Sequence, residues 1–200
     1  MRRSVRRAGV VVLAAVGVWQ LGHGAWIHLK AALAQHLLQA AWARTVAGES
    51  AVKPWPWADT WPVARLRVPA HGVDLIVLDG VSGRALAFAP GHATGSAWPG
   101  APGTAIVTGH RDTHFRFLER LRPGEEILVD TPGQPTARFR VREATVVDAR
   151  TAVVRRDDDG APSLVLLTCY PFDAIRPGGP LRYVVSAEPA SLAARRISSQ

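Results

Sequence analysis

The sequence predicts a mainly β domain, a closed or nearly closed β-barrel with short helices, preceded by an N-terminal transmembrane helix. Three observations lead there. Short apolar or alternating runs recur from residue 63 to residue 185, separated by Gly, Pro and Asp. That is the pattern of short strands joined by turns. Ahead of them, four arginines precede an unbroken apolar run over residues 8–19. Between the two lies a stretch, 48–62, whose three prolines disfavour regular structure.

Residues 1–30 read as a cytoplasmic arginine cluster and a transmembrane signal anchor. Arg2, Arg3, Arg6 and Arg7 lead into Ala8 and an apolar run that ends at Trp19. Apolar character then continues to Leu29, interrupted by Gln20, His23 and Gly24. The whole is about 22 residues, against roughly 20 needed to cross a bilayer. The arginines should stay in the cytoplasm and leave the bulk of the chain outside. A retained anchor is favoured over a cleaved signal peptide, because the Ala-x-Ala-like cleavage signal is poor and apolar helical sequence continues beyond. The expected location is the inner (cytoplasmic) membrane, single-pass, with the C-terminal bulk of the chain on the periplasmic, extracytoplasmic side.

Residues 31–62 read as a juxtamembrane helix and a Trp/Pro-rich linker. Ala32, Leu33, Leu37, Leu38, Ala41 and Trp42 recur with helical spacing. Trp55, Trp57 and Trp61 come next, too many apolar rings to leave solvated. They are expected to clamp onto the domain.

Residues 63–188 read as the barrel. Strands are expected over 63–68, 73–78, 83–88, 104–108, 126–130 and 137–148, and on either side of the 170–181 loop. Residues 91–103, rich in Gly and Pro, are expected to form a long surface loop. Residues 115–121 suit a short helix closed by Pro123 and Gly124. Arg155 to Gly160 reads as a charged turn, and 189–200 as a polar tail.

The formal charge of +8 invites a nucleic-acid reading. Its distribution argues otherwise. Residues 1–48 carry six basic and no acidic residues, whereas the remainder carries eighteen basic and sixteen acidic. The barrel is close to balanced, so no nucleic-acid partner is expected. One cysteine excludes an internal disulfide framework and a Cys-rich zinc site.

That cysteine sits in a telling place. Leu164-Val165-Leu166-Leu167 is a buried-strand run, and Thr168 and Cys169 come where it ends. A loop with Pro177, Gly178, Gly179 and Pro180 leads to a second run, Arg182-Tyr183-Val184-Val185. If the two strands pair, Cys169 and Arg182 face one pocket. Upstream, Ala105-Ile106-Val107-Thr108 is broken by Gly109, with His110 at its end. A thiol needs a base or a cationic neighbour, because the thiolate is the nucleophile. An imidazole takes that proton and returns it to a leaving amine near neutral pH. Arg182 supplies fixed positive charge for an oxyanion.

Leu167-Thr168-Cys169, an arginine thirteen residues later opening a β run, and Thr108-Gly109-His110-Arg111 upstream resemble the sortases. The wording His110-Arg111-Asp112-Thr113-His114-Phe115 and Thr168-Cys169-Tyr170-Pro171-Phe172 is most similar to the sortase group of Gram-negative bacteria. The resemblance covers roughly residues 63–188. It implies an eight-stranded barrel and a membrane-anchored cysteine transpeptidase. The substrate it implies is a secreted protein with an LPxTG-like C-terminal signal, cut after Thr, and the acceptor is an amine. Cys169 is then the nucleophile, His110 the general acid/base, and Arg182 the oxyanion-stabilising or substrate-positioning group. Thr168 and Arg176 are candidate substrate contacts. No cofactor is expected and no metal motif stands out. Some sortases use calcium on loop carboxylates, and calcium dependence stays open.

Rivals exist for each role. His92 follows a β run as His110 does, and His71 and His114 are further candidate bases. Arg176 competes with Arg182. Asp112 could orient an imidazole, as a third group does in many triads, but the resemblance does not require it. Arg111 reads as a structural or rim residue. Two other classes also stay open. One is another envelope cysteine peptidase or acyltransferase, although the Ser-x-Gly-Cys setting of an L,D-transpeptidase is missing. The other is a non-catalytic peptide-binding β-barrel module.

Overall fold

Alternation along the strands decides which side chains enter the core. In the computed structural model, which describes residues 2–152, 160–175 and 178–191, eight strands form one sheet. They are β1 (Pro62–Val68), β2 (Val73–Asp79), β3 (Gly91–His92), β4 (Gly103–Thr108), β5 (Glu126–Asp130), β6 (Ala137–Asp148), β7 (Pro162–Cys169) and β8 (Leu181–Pro189). The sheet closes into a barrel in the order β1-β2-β3-β4-β7-β8-β6-β5, with β5 pairing back to β1. The eight-stranded barrel is therefore present. Residues 155–159 of the expected charged turn, Arg176, and tail residues 192–200 lie outside the described residues.

β1 shows how sequence becomes packing. Ala64, Leu66 and Val68 are fully buried, while Arg65 and Arg67 alternate onto the outer face. There Arg65 pairs with Asp74 of β2, and Arg67 pairs with Asp130 of β5. Such partly exposed pairs contribute at most about 1 kcal/mol each. The apolar interior supplies most of the stability, and Phe115, Phe139, Leu164 and Leu166 are among its fully buried members.

β2 departs from alternation because both of its faces are covered. Ile76, Val77 and Leu78 are all buried. Val77 joins the barrel interior. Ile76 and Leu78 join a second cluster with Leu38, Trp42, Ala85 and Ala89. Leu38 and Trp42 come from the C-terminal part of helix α1 (Arg2–Val46), and Ala85 from the short helix α2 (Gly83–Leu86). The linker is docked as well. Thr60 Oγ1 donates to Asp79 O at 2.7 Å, and Asp79 N donates to Trp61 O at 2.9 Å. Trp55 meets Phe88 edge-on at 4.7 Å, and Trp61 packs on the barrel core. Trp57, by contrast, is 83% exposed.

Two expectations are corrected. The strand expected over 83–88 is α2 followed by a turn. Arg84, Ala85 and Leu86 are good helix formers, and Ser82 caps the start, its Oγ accepting from Ala85 N at 3.2 Å. The loop expected over 91–103 begins with β3, where Gly91 and His92 are buried between β2 and β4.

The expected transmembrane helix is shown as a helix only. The N-terminal segment is helical, and the chain divides into units 1–37 and 38–200. Among the described residues, however, no helix is long and apolar enough to cross a membrane.

Leu38→Ala empties a fully buried site between the end of α1 and β2. It should cost about 2–5 kcal/mol in urea unfolding. A change under about 0.5 kcal/mol would mean that this helix end does not brace the barrel.

Candidate active site

Hydrogen-bond register builds the site. β4 and β7 run parallel with Thr108 opposite Leu167. Past that point Gly109 N donates to Leu167 O at 3.1 Å, and Thr168 Oγ1 donates to Gly109 O at 2.7 Å. His110 and Cys169 each come one residue after this last contact, so they leave the barrel at neighbouring strand ends. Both are exposed. On the other side, β7 and β8 are antiparallel with Cys169 directly opposite Arg182. Leu164, Leu166 and Thr168 are buried on the inner face of β7. Period-two alternation therefore puts Cys169 on the outer face, together with its partner Arg182.

Local sequence explains each placement. Gly109 lets the chain pass close to Phe115, since a Cβ there would lie 2.8 Å from that ring and force a shift. That ring is fully buried. The chain after His110 then turns back, with Phe115 N donating to His110 O at 3.0 Å. On the β8 side, Arg182 Nη1 donates to Gly179 O at 2.7 Å and to Leu181 O at 2.9 Å. The guanidinium is thus tethered at the beginning of its own strand. Tyr170, Phe172 and Tyr183 pack together beside Cys169, with Tyr170 stacked on Tyr183 at 6.1 Å and Phe172 edge-on to Tyr183 at 5.1 Å.

The structure sorts the rival residues. His92 is 3% exposed, with its Nε2 on Ala97 O at 2.9 Å and Ser96 Oγ at 3.0 Å. Trp98 stacks on its ring at 4.8 Å. It organises the loop after β3 and is enclosed there by Ser96, Ala97 and Trp98. His71 pairs with Glu125 at 2.8 Å, which holds that carboxylate below its ordinary range. His114 is half-buried; that burial and the neighbouring His110 hold its imidazole below the usual value, opposed by a hydrogen bond to the Phe88 backbone. Thr168 is 1% exposed, and its hydroxyl is committed to Gly109 O. It joins two strands rather than offering an oxygen to a ligand. Arg176, the other candidate substrate contact, lies outside the described residues. Asp112 is turned to Arg111 at 2.9 Å. Among the described residues, no three His, Cys, Asp or Glu side chains converge as a metal site needs.

One feature escaped sequence reasoning. The 110–117 segment grips the chain that leads on from Cys169. Arg111 donates to Pro171 O and to Ala174 O, and Arg116 donates to Phe172 O at 3.0 Å. Two arginines spaced by five invite no such reading without the loop they hold. The Tyr170–Pro171 bond inside that loop is cis.

The sortase-domain family model matches residues 66–190, most of the barrel and both strand ends just described. The chain belongs to the sortase family. Sortases are cysteine transpeptidases, and the lone cysteine of this chain stands on the matched region. Sortase D of Bacillus subtilis (strain 168) is 28% identical over 121 residues, which is 60% of each chain. The match thus spans less than two thirds of that relative. A Clostridium perfringens sortase D5 transpeptidase structure shares 25% identity with a TM-score of 0.56, covering 64% of this chain and 79% of that one. A lid mutant of sortase A from Corynebacterium diphtheriae shares the fold at 22% identity and a TM-score of 0.59, covering 80% and 94%. These relatives come from Gram-positive bacteria.

Two outcomes are expected. Gly109→Ala overpacks Phe115 and should cost about 1–3 kcal/mol in denaturant unfolding; no loss would mean the close approach is relaxed. For His114, the folded value lies below the unfolded value near 6.5. The unfolded chain therefore gains its proton first on acidification. Stability is full above the unfolded value and declines as pH falls toward the folded one. Between about pH 7 and pH 5, wild type should lose stability more steeply than His114→Asn. Equal slopes would contradict this.

Proposed function

We propose that this sortase is a transpeptidase in which Cys169 is the nucleophile, His110 the general acid and base, and Arg182 the oxyanion-stabilising or substrate-positioning group. The observation that carries the reading is the register that brings three ends together: β4 beside β7, and Cys169 opposite Arg182. The Cys169 thiolate attacks a backbone carbonyl of the substrate. As the tetrahedral intermediate collapses, the C–N bond breaks and His110, as imidazolium, protonates the departing amine. A thioester remains on Cys169. An incoming amine, losing its proton to His110, attacks that thioester, and the thiolate leaves with a new amide formed. A guanidinium has five N–H donors. With Nη1 on Gly179 O and Leu181 O, Nε and Nη2 of Arg182 are the donors we assign to the developing oxyanion.

The substrate we propose is a secreted protein with an LPxTG-like C-terminal signal, the acceptor a primary amine. Arg176, in the loop after Cys169, is our candidate contact to the signal; for Thr168 the backbone rather than the hydroxyl is the group assigned. The motif wording around His110 and Cys169 supports membership of the group found in Gram-negative bacteria. We place the barrel outside the cytoplasmic membrane. The arginines ahead of the apolar 8–19 run support that orientation, even though the helix falls short of a clear span.

Intact mass spectrometry of the full chain with a Leu-Pro-x-Thr-Gly peptide tests the reaction. A thioester adduct should form on Cys169 and discharge when an amine is added. Cys169→Ala should abolish it, and His110→Ala should slow it by about 10²–10⁴-fold. His92→Ala should leave it within a few-fold. An adduct that survives His110→Ala but not His92→Ala would overturn the assignment of the base. Hydrolysis alone, with amine present, would indicate a peptidase.

A further inference from the structure

We infer that Gly178 is a positioning residue of this site: its positive φ shapes the Gly178–Gly179–Pro180 turn so that carbonyl oxygens hold the Arg182 guanidinium in one orientation. Four observations carry the inference. Gly178 has φ +97°, a backbone that L side chains rarely adopt. The turn delivers Gly179 O to Arg182 Nη1 at 2.7 Å. Leu181 O accepts from the same nitrogen at 2.9 Å and from Tyr170 N at 3.1 Å. One carbonyl oxygen therefore joins the guanidinium to the chain leaving Cys169. Pro180 O accepts from Ala149 N at 2.9 Å, so the chain just past β6 holds the turn as well.

A guanidinium is planar and rigid, and Nη1 carries two of its five N–H groups. Both are engaged by carbonyls of this short stretch, which fixes the plane of the whole group. Nε and Nη2 are then aimed before any substrate arrives. A free arginine side chain is rotamer-rich, and ordering it during the reaction would slow the step by about tenfold. Nothing lies within 4 Å of where a Cβ on Gly178 would stand, so Gly178→Ala acts through the backbone alone. Gly133, in the turn between β5 and β6, is the matched control. Its φ is +71° and its Cβ site is equally open. The same strain falls there on a turn whose carbonyls do not hold Arg182. The inference rests on Arg182 serving the proposed reaction, but the ordering of its side chain is read without peptide.

The experiment is NMR nitrogen relaxation of the Arg182 Nε–H in the full chain, with acylation by a Leu-Pro-x-Thr-Gly peptide measured beside it. In wild type and in Gly133→Ala the group should be ordered. In Gly178→Ala it should turn mobile, with kcat and kcat/KM both lower by about tenfold and KM unmoved. That loss should vanish in an Arg182→Lys background, because an ammonium has no planar fork to aim. A general weakening of the fold would persist there. Ligating a synthetic 169–200 segment at Cys169 gives Gly178→D-Ala, a residue that favours positive φ. It should restore both the order and the rate. An ordered Nε–H with an unchanged rate in Gly178→Ala would overturn the inference. If Gly178→Ala does not fold, a mobile Nε–H in the D-alanine protein would overturn it instead. Order lost in Gly178→Ala, with no acylation even in wild type, would sink the proposed function and leave the role of Gly178 standing. Normal acylation in wild type, with order untouched by Gly178→Ala, would do the reverse.

Discussion

The parallel pairing of β4 with β7, closed at its end by the Thr168 hydroxyl on Gly109 O, is the constraint that fixes the site. Parallel neighbours cannot be joined by a hairpin and need a long crossover. Here the crossover contains β5 and β6, which pair on the opposite side of the barrel. Its result is that two C-terminal strand ends, 59 residues apart at Gly109 and Thr168, stop at the same level. A one-residue slip would turn Cys169 inward and Thr168 outward. The inward hydroxyl of Thr168 resists that slip, because it has a specific buried partner.

Rigid strands alone do not hold the segments that leave them. The stretch after His110 is fastened from below by Phe115 against Gly109 and closed by its own amide bonds. The stretch after Cys169 is fastened laterally by Arg111 and Arg116. The two segments are thus one interlocked unit, and His110 and Cys169 stand at its base. Chemistry placed on loops that a barrel and a set of charged clamps make stiff is how a small domain reaches the positional accuracy that catalysis requires.

Much of this was legible in the sequence. The runs at 63–68, 104–108 and 126–130 announced β1, β4 and β5 because one face of each is buried and turns flank them. Cys169, His110 and Arg182 stood out because each follows or opens such a run. What was not legible came from contacts made at long range. β2 lost its alternation because α1 and α2 cover its outer face. α2 looked like a strand until Ser82 was seen as its cap. His92 and His110 are alike in sequence; only the enclosure of His92 by Ser96, Ala97 and Trp98 separates them. The hydroxyl of Thr168 lies next to Cys169 in sequence but on the other face of the strand.

The proposed chemistry requires His110 and Cys169 to act as one coupled pair. An NMR titration of the His110 ring in the full chain, in wild type and in Cys169→Ser, reads that coupling without any substrate. Two groups that share a site titrate together, so each feels the other's charge. A coupled pair should give a His110 midpoint in wild type that differs from that in Cys169→Ser, with a second inflection in wild type as the thiol ionises. Superimposable curves, with both proteins folded, would show that imidazole and thiol do not sense one another and would contradict the pairing.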